Sequence, residues 1–377
     1  MTQRVAHIIT GLERGGAESF LYRFLSFENR KLDYLVISLG GPGVFGPLLR
    51  NKGIQVEALC VTGVWSFFTS IFKVRRLLQE YQIQLVQSWL YKADLYAVLV
   101  VLFCKVPLIW NVRQTNTSHK MNSYSTLIVS RVLSLLSRKA PDHIVYCANT
   151  AQSSHERMGY RREIGSVIPN GVDCELFKVG KQNRNLMRCS LKIAIDVPVI
   201  INVGRYDPQK GHLDFLRCAS LISKHLPKAI FCLVGKGVSW DNPLLAAEIQ
   251  RLDLKNSCLL LGERPDIPQL LDCADVYLSC SLGEGWPNAI AEAMASRLPV
   301  VATDVGDSRQ IIGCSGYIAC VSDIQGLSKM VIDVFALSVG QRRELGHRAR
   351  ERIKTQYSVD SSVQQYESLY QSIRIVC

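Results

Sequence analysis

The chain has 377 residues, and at about one domain per 150 residues that length predicts two or three domains. Lys and Arg total 44 against 32 Asp and Glu, a formal charge of +12, with 48% hydrophobic and 20% charged residues. This composition belongs to a folded globular chain and excludes disorder, collagen-like repeats and low-complexity tails.

Short apolar runs alternate with longer amphipathic ones through the first half. Strands are predicted at Val5–Thr10, Tyr34–Leu39, Val56–Cys60, Leu85–Ser88, Leu108–Val112 and Ile144–Cys147, with helices such as Glu18–Ser26, Phe67–Tyr81 and Ser125–Ser137 between them. The pattern pauses at Val167-Ile-Pro-Asn-Gly-Val-Asp173, which is turn chemistry, and at a polar stretch, Lys178–Asn185, which reads as a linker. It then restarts, with strands at Val197–Val203, Ile230–Val234, Cys258–Leu261, Val276–Cys280 and Pro299–Thr303 and helices such as His212–Ser223 and Asn288–Ser296. Strand–helix alternation predicts α/β folding with parallel sheets covered on both faces. The expected plan is two doubly wound, Rossmann-like domains, residues 1–180 and 181–360, facing a cleft. A last helix near 361–373, with Val363, Tyr366, Leu369, Tyr370 and Ile373 at helical spacing, has an apolar face to bury, on the first domain or the second.

The charge is uneven. Met1–Lys178 holds 21 basic and 12 acidic residues, or +9, and the remainder 23 and 20, or +3. A basic first half calls for an anionic partner: nucleic acid, a polyphosphate-bearing ligand or an acidic membrane surface. The cations are scattered, in nothing longer than pairs such as Arg75-Arg76, which argues against nucleic acid. The stretch Ser66–Arg76, with Trp65 before it, mixes aromatics with Lys73, Arg75 and Arg76 and is a candidate membrane contact, a core-facing helix with a basic outer side being the blander reading. Thirteen cysteines with no Cys-x-x-Cys pair read as free thiols in a reducing compartment. No signal peptide is in view, and Leu95–Cys104 is shorter than the roughly 20 apolar residues of a bilayer span. The expected location is the cytoplasm, free or against the inner face of a membrane.

Three segments carry chemistry. The first is Ser281-Leu-Gly-Glu284-Gly285-Trp286-Pro287-Asn288-Ala-Ile-Ala-Glu292. A glycine-flanked acid closes a strand, Pro287 suits a first helical position, and loop and helix start together offer N–H groups to an anion. Glu284 in the loop and Glu292 within the helix would meet different parts of an elongated ligand. The second is Asn202-Val-Gly-Arg205-Tyr-Asp-Pro-Gln-Lys210, whose guanidinium and ammonium suit phosphate oxygens. The third is Thr10-Gly-Leu-Glu-Arg-Gly15-Gly16-Ala-Glu18, where paired glycines permit close approach to a phosphate or sugar, a tight structural turn being an equal alternative. It is neither a P-loop nor the G-x-G-x-x-G fingerprint. Gly235, in Val-Gly-Lys-Gly, closes a similar strand end.

In this order the segments resemble glycosyltransferase family 4, the retaining transferases of GT-B architecture, most specifically in Glu284-x7-Glu292. The resemblance implies a sugar transferred from a nucleotide sugar, UDP- or GDP-linked, to a glycan or lipid-diphosphate acceptor in cell-surface polysaccharide or glycolipid synthesis. It implies no other cofactor and no metal. Arg205 and Lys210 would hold the diphosphate, Glu284 the donor sugar and Glu292 the ribose. Amides of Gly285–Asn288 and the loops at Gly15, Gly16 and Gly235 would complete the donor site. Relatives often carry a histidine after the fourth strand. Here Trp89 and Lys92 stand in that region, with loop packing and a solvated amine as equally open readings, and Arg113 and His119 are further acceptor-side candidates. The alternatives are a non-catalytic partner subunit, or a GT-B epimerase or phosphorylase.

Overall fold

Strands such as Val5–Ile9 and Val199–Val203 are buried on both faces and mostly apolar, as strands covered by helices on two sides must be. The computed structural model describes residues 3–27, 32–102, 104, 106–113, 124–178 and 180–373. The chain divides into two units, Met1–Gly171 with Val359–Cys377, and Val172–Ser358.

The first unit contains β1 (Arg4–Ile9), β2 (Asp33–Ser38), β3 (Gln55–Ala58), β4 (Leu85–Trp89), β5 (Leu108–Val112), β6 (His143–Tyr146) and β7 (Gly165–Val167). They form one parallel sheet in the order β3-β2-β1-β4-β5-β6-β7, the direction reversing between β1 and β4. Right-handed crossovers put the helices Gly16–Leu25 and Phe45–Asn51 on one face and Val64–Glu80, Tyr91–Val101 and Tyr124–Leu136 on the other. The second unit contains β8 (Val199–Val203), β9 (Ile230–Val234), β10 (Cys258–Leu260), β11 (Val276–Ser279), β12 (Val300–Thr303) and β13 (Tyr317–Ala319), parallel in the order β10-β9-β8-β11-β12-β13. Both are doubly wound α/β sheets, as the alternation predicts. Strands β7 and β13 add to the expected set.

The expected boundary near residue 180 moves to Gly171/Val172. Residues 172–180 are bound to the second unit: Arg350 donates to the carbonyls of Cys174 and Phe177, and the Gly180 N–H donates to Asp272. The polar stretch read as a linker is largely the helix Lys181–Ser190. Arg184 and Arg188 look like solvated charges in sequence, yet both reach Asp275, and Arg188, 1% exposed, also donates to the carbonyls of Cys273, Ala194, Ile195 and Val197.

The final helix, Val359–Ser372, belongs to the first unit. Val363, Tyr366 and Tyr370 enter the core formed by Phe20, Phe24 and Trp89. The Tyr370 hydroxyl donates to Gln87, and Tyr366 accepts from Asn111 at 2.9 Å. The twelve described cysteines carry free thiols. Among the described residues no helix is long and apolar enough to cross a membrane.

Candidate active site

In the second sheet the strand order reverses between β8 and β11, and in open parallel sheets that reversal leaves a crevice beyond the carboxyl ends of the strands. Two loops meet there. After β8, the Gly204 and Tyr206 N–H groups donate to Val234 and Lys236 at 2.8 and 2.7 Å, tying the loop to the turn at Gly235. A Cβ on Gly235 would stand 2.1 Å from the Gly204 carbonyl oxygen, so this close approach needs glycine. Asp207 caps the short 3-10 turn Pro208–Lys210, accepting from the Gln209 N–H at 3.0 Å. Gly211 follows at φ +63, packed on the Cys280 carbonyl. The Leu282 N–H donates to Gln209 at 2.7 Å and closes the two loops on each other.

The result is a half-buried ion pair. Lys210 Nζ donates to Glu284 Oε1 at 2.6 Å, and the Ser281 hydroxyl donates to the same oxygen at 2.9 Å. The side chains are 29% and 12% exposed, and partial burial strengthens such a charge-assisted bond. Behind it, Thr303 donates to the Ser281 carbonyl at 2.6 Å and the Asp307 N–H to Gly285 at 3.1 Å. Gly306, at φ +55, leaves no room for a Cβ against Gly285. The acidic loop is therefore braced on both sides.

The helix Asn288–Ala295 starts one residue later than Pro287 suggests: Pro287 is its cap, at φ −77 and ψ 85, instead of its first residue. Its first turn points backbone N–H groups and the positive end of the helix dipole into the crevice. Glu292 lies half-buried on this helix. Between the loops stands Tyr277, whose hydroxyl donates to Val203 at 3.4 Å. Burial raises its pKa most, and the Glu284 and Glu292 carboxylates raise it further, so both acids bear on one phenol. A cavity of about 10 Å³, lined in part by Asn202, Lys210, Tyr277 and Glu284, has room for about one water. Arg205 stands apart from this core, 72% exposed and 3.2 Å from Asp207, in a pair that solvent screens.

His212, which sequence reasoning passed over, is buried behind Lys210, with Nε2 3.3 Å from the Gly204 carbonyl. Burial lowers its pKa, which favours the neutral ring at pH 7. Trp286, expected to line the donor site, is buried, with its ring centroid 5.0 Å from that of Tyr357. That places it in packing.

In the first unit, Gly15 and Gly16 lie at the carboxyl end of β1, where that sheet reverses, and open the helix Gly16–Leu25. Gly15 is extended at φ −158, and a Cβ there would meet only the movable end of Glu18, so no backbone constraint demands glycine. Burial raises the pKa of Glu18. Two acceptor-side candidates turn inward. Trp89 is fully buried and its indole N–H donates to His7 Nδ1 at 3.0 Å. The Arg113 guanidinium lies 4.4 Å from the Phe20 ring centroid and 4.7 Å from that of Trp89, and donates to Asn170 and, at 2.7 Å, to the Tyr366 hydroxyl. Trp89 serves the core, and Arg113 packs half-buried at its edge. Lys92 is exposed in the first turn of Tyr91–Val101, and His119 lies outside the described residues. Leu90, capping that helix at φ +74 and ψ 151, holds a conformation that glycine favours, at the same end of the sheet.

Comparison with known proteins gives matches over most of the chain. The profile of Glycosyltransferase Family 4 matches residues 14–176, and that of Glycosyl transferases group 1 matches 197–336. A UDP-Gal:alpha-D-GlcNAc-diphosphoundecaprenol alpha-1,3-galactosyltransferase of Escherichia coli is 31% identical over 209 residues, 54% of this chain and 53% of that protein. The match thus spans about half the length of that relative. A putative glycosyltransferase, EpsF, of Bacillus subtilis is 26% identical over 80% of this chain and 79% of its own. Among solved structures, Anabaena Alr3699/HepE in complex with UDP superposes with a TM-score of 0.86 at 23% identity, covering 98% of this chain and all of the other. Sucrose-phosphate synthase of Thermosynechococcus elongatus gives 0.80 at 16% identity, covering 98% of each chain. At these identities the structural likeness is one of fold.

Proposed function

The chain belongs to glycosyltransferase family 4 and has the GT-B fold, and on that premise we propose that it transfers a sugar from a nucleotide-sugar donor to a lipid-diphosphate-linked glycan, with retention at the anomeric carbon. The Lys210–Glu284 pair at the reversal of the second sheet is the observation that carries the reading.

A donor diphosphate brings two negative charges to a crevice that already holds an ammonium and a helix N-terminus. It competes with Glu284 for Lys210. The displaced carboxylate then faces the sugar hydroxyls as an acceptor, while Lys210 and Arg205 neutralise charge growing on the departing phosphate. Glu292, deeper along the helix, suits the ribose hydroxyls. In this reading no metal is required, and the acceptor attacks on the face the diphosphate leaves, within a short-lived ion pair. A uridine nucleotide is the first choice of donor, because UDP is bound in Alr3699/HepE and UDP-Gal is the donor named for the Escherichia coli relative. That relative's diphosphoundecaprenol acceptor likewise supports an acceptor presented at a membrane, where the basic first unit would favour an anionic face.

The test is nucleotide release from a panel of UDP- and GDP-sugars with lipid-diphosphate acceptors. Acceptor-dependent release with one donor is the expected result, and Lys210→Ala and Glu284→Ala should each lower kcat by about 100-fold or more while the melting curve is retained. Full activity in both variants would refute the site.

A further inference from the structure

Two helices on one face of the first sheet turn large apolar side chains to solvent. On Val64–Glu80, the inward residues Ile71, Val74, Leu77 and Leu78 supply the core contact. The opposite side carries Trp65, Phe68 and Phe72, spaced three and four residues apart and 86%, 53% and 69% exposed. On Tyr124–Leu136, Leu127 and Leu133 point inward, while Ile128 and Leu135 are 63% and 67% exposed. Between these helices runs Tyr91–Val101, which packs against both and ends at the exposed Leu102. Arg75 ties Val64–Glu80 to Tyr91–Val101: it donates to the carbonyls of Leu99 and Val100 at 2.9 and 3.2 Å and lies 5.8 Å from the Phe72 ring centroid.

Six bulky apolar groups are therefore exposed on neighbouring helices, where single exposed residues would call for no explanation. Their surroundings are basic. Lys73 and Arg76 flank the aromatic stripe, and Arg131, Arg138 and Lys139 flank the aliphatic one. Among the described residues the acids paired to them are Glu57, 3.9 Å from Lys73, and Glu80, 2.7 Å from Arg76. Five cations against those two carboxylates leave a positive rim around an apolar centre.

We infer that this three-helix face docks on an anionic lipid bilayer, the aromatic and aliphatic side chains entering the headgroup–acyl boundary and the cations meeting lipid phosphates. Aromatic rings with a polar surround suit that boundary, and arginine and lysine stems keep their charge in water while their methylenes lie on the apolar surface. The charge pattern separates a bilayer from a second copy of this chain, whose identical basic rim would be repelled. The helices Val64–Glu80 and Tyr124–Leu136 both begin beyond the carboxyl ends of strands, so Trp65, Phe68 and Ile128 stand at the end of the sheet that holds Gly15, Gly16 and Lys92. A lipid-anchored acceptor would then emerge from the bilayer beside those loops. That last link rests on the proposed transferase reading; the docking surface does not.

Flotation of the full chain with vesicles of phosphatidylcholine, alone or with 30–50% phosphatidylglycerol, tests the surface with no donor present (roughly physiological anionic content and above). The expected result is binding to the anionic vesicles only, weakening as salt rises from 0.1 to 1 M and the Debye length falls from about 10 to 3 Å. The variant Trp65→Ser/Phe68→Ser/Phe72→Ser should partition roughly tenfold more weakly or worse, and Ile128→Ser/Leu135→Ser should also weaken binding. Independently of variant folding, brominated lipid should quench tryptophan fluorescence of the native chain, and Trp65→Phe should abolish most of that quenching. Equal binding to neutral vesicles, unchanged binding by the triple variant, or a dimer that the triple variant dissolves would each overturn the inference. Turnover on a water-soluble acceptor without vesicle binding would overturn the surface and leave the transferase standing; vesicle binding without turnover on any donor would do the reverse.

Discussion

Gly211→Ala tests how the Lys210 loop is built. At φ +63 an alanine costs about 1 kcal/mol in backbone strain alone. Its Cβ would also stand 1.9 Å from the Cys280 carbonyl oxygen, where ordinary contact begins near 3.4 Å, so the loop and the end of β11 must part by about 1.5 Å. That separation pulls on the bonds Leu282 N–H to Gln209 and Phe215 N–H to Gly211, 2.7 and 2.9 Å long, each worth about 1 kcal/mol. The sum is about 3 kcal/mol, which in a unit of this size lowers the melting temperature by roughly 10 °C. Gly262→Ala is the control: Gly262 has φ +66 in the same unit, with nothing within 4 Å of its Cβ position, so only the strain of about 1 kcal/mol applies. Melting of both variants by circular dichroism, with calorimetric titration of the donor nucleotide, gives the comparison. If Gly211→Ala melts no lower than Gly262→Ala, contact with Cys280 does not govern this loop.

Lys210→Met and Glu284→Gln form a double-mutant cycle: because the two groups share one bond, the double variant should lose less kcat/KM than the two single losses combined, with a coupling of about 1–3 kcal/mol, and additivity within about 0.5 would count against direct cooperation. Arg113→Ala should lower unfolding free energy by about 3 kcal/mol in urea, since it strips a guanidinium from the Tyr366 hydroxyl and two aromatic faces, while donor affinity measured calorimetrically stays unchanged. Acid should weaken the first unit. Burial lowers His7 to about 3 and His155 to about 4 from the ordinary 6.5, so below pH 6.5 the unfolded chain takes up protons that the native one refuses. That contribution is fully present above about pH 6.5 and is lost as pH falls towards 4; His155→Gln should flatten the melting-temperature slope across that window, and an unchanged slope would argue against it.

Legibility followed the range over which each feature is encoded. Apolar strand runs and amphipathic helices depend on neighbours a few residues apart, so eleven of the thirteen described strands and the doubly wound plan could be read directly. The same holds for Gly-Arg205 to Lys210 and Glu284 to Asn288, each a strand end followed by a loop. The misreadings concern residues whose partners are distant in sequence. Arg184 and Arg188 give a polar signature, although Asp275, 91 and 87 positions on, makes them structural. Trp89 stands where relatives often carry a histidine, but its contacts with His7 and Phe20 draw it into the core, and Arg113 packs half-buried on Phe20 and Tyr366. His212 and Gly211 carried no visible signal, since the Gly204 and Cys280 carbonyls that define their roles lie on other segments.

The amino-acid sequence by itself determined two parallel sheets, the loops that bear charge at their carboxyl ends, and a net excess of positive charge in the first half. Local periodicity, turn chemistry and composition suffice for that. Tertiary structure decided which charges are spent. It paired Lys210 with Glu284, left Arg205 in water, buried Arg188 among carbonyls and set five cations around an exposed apolar face. The physical reason is that a charge's role depends on its burial and its nearest opposite charge, and folding sets both by joining residues far apart in the chain.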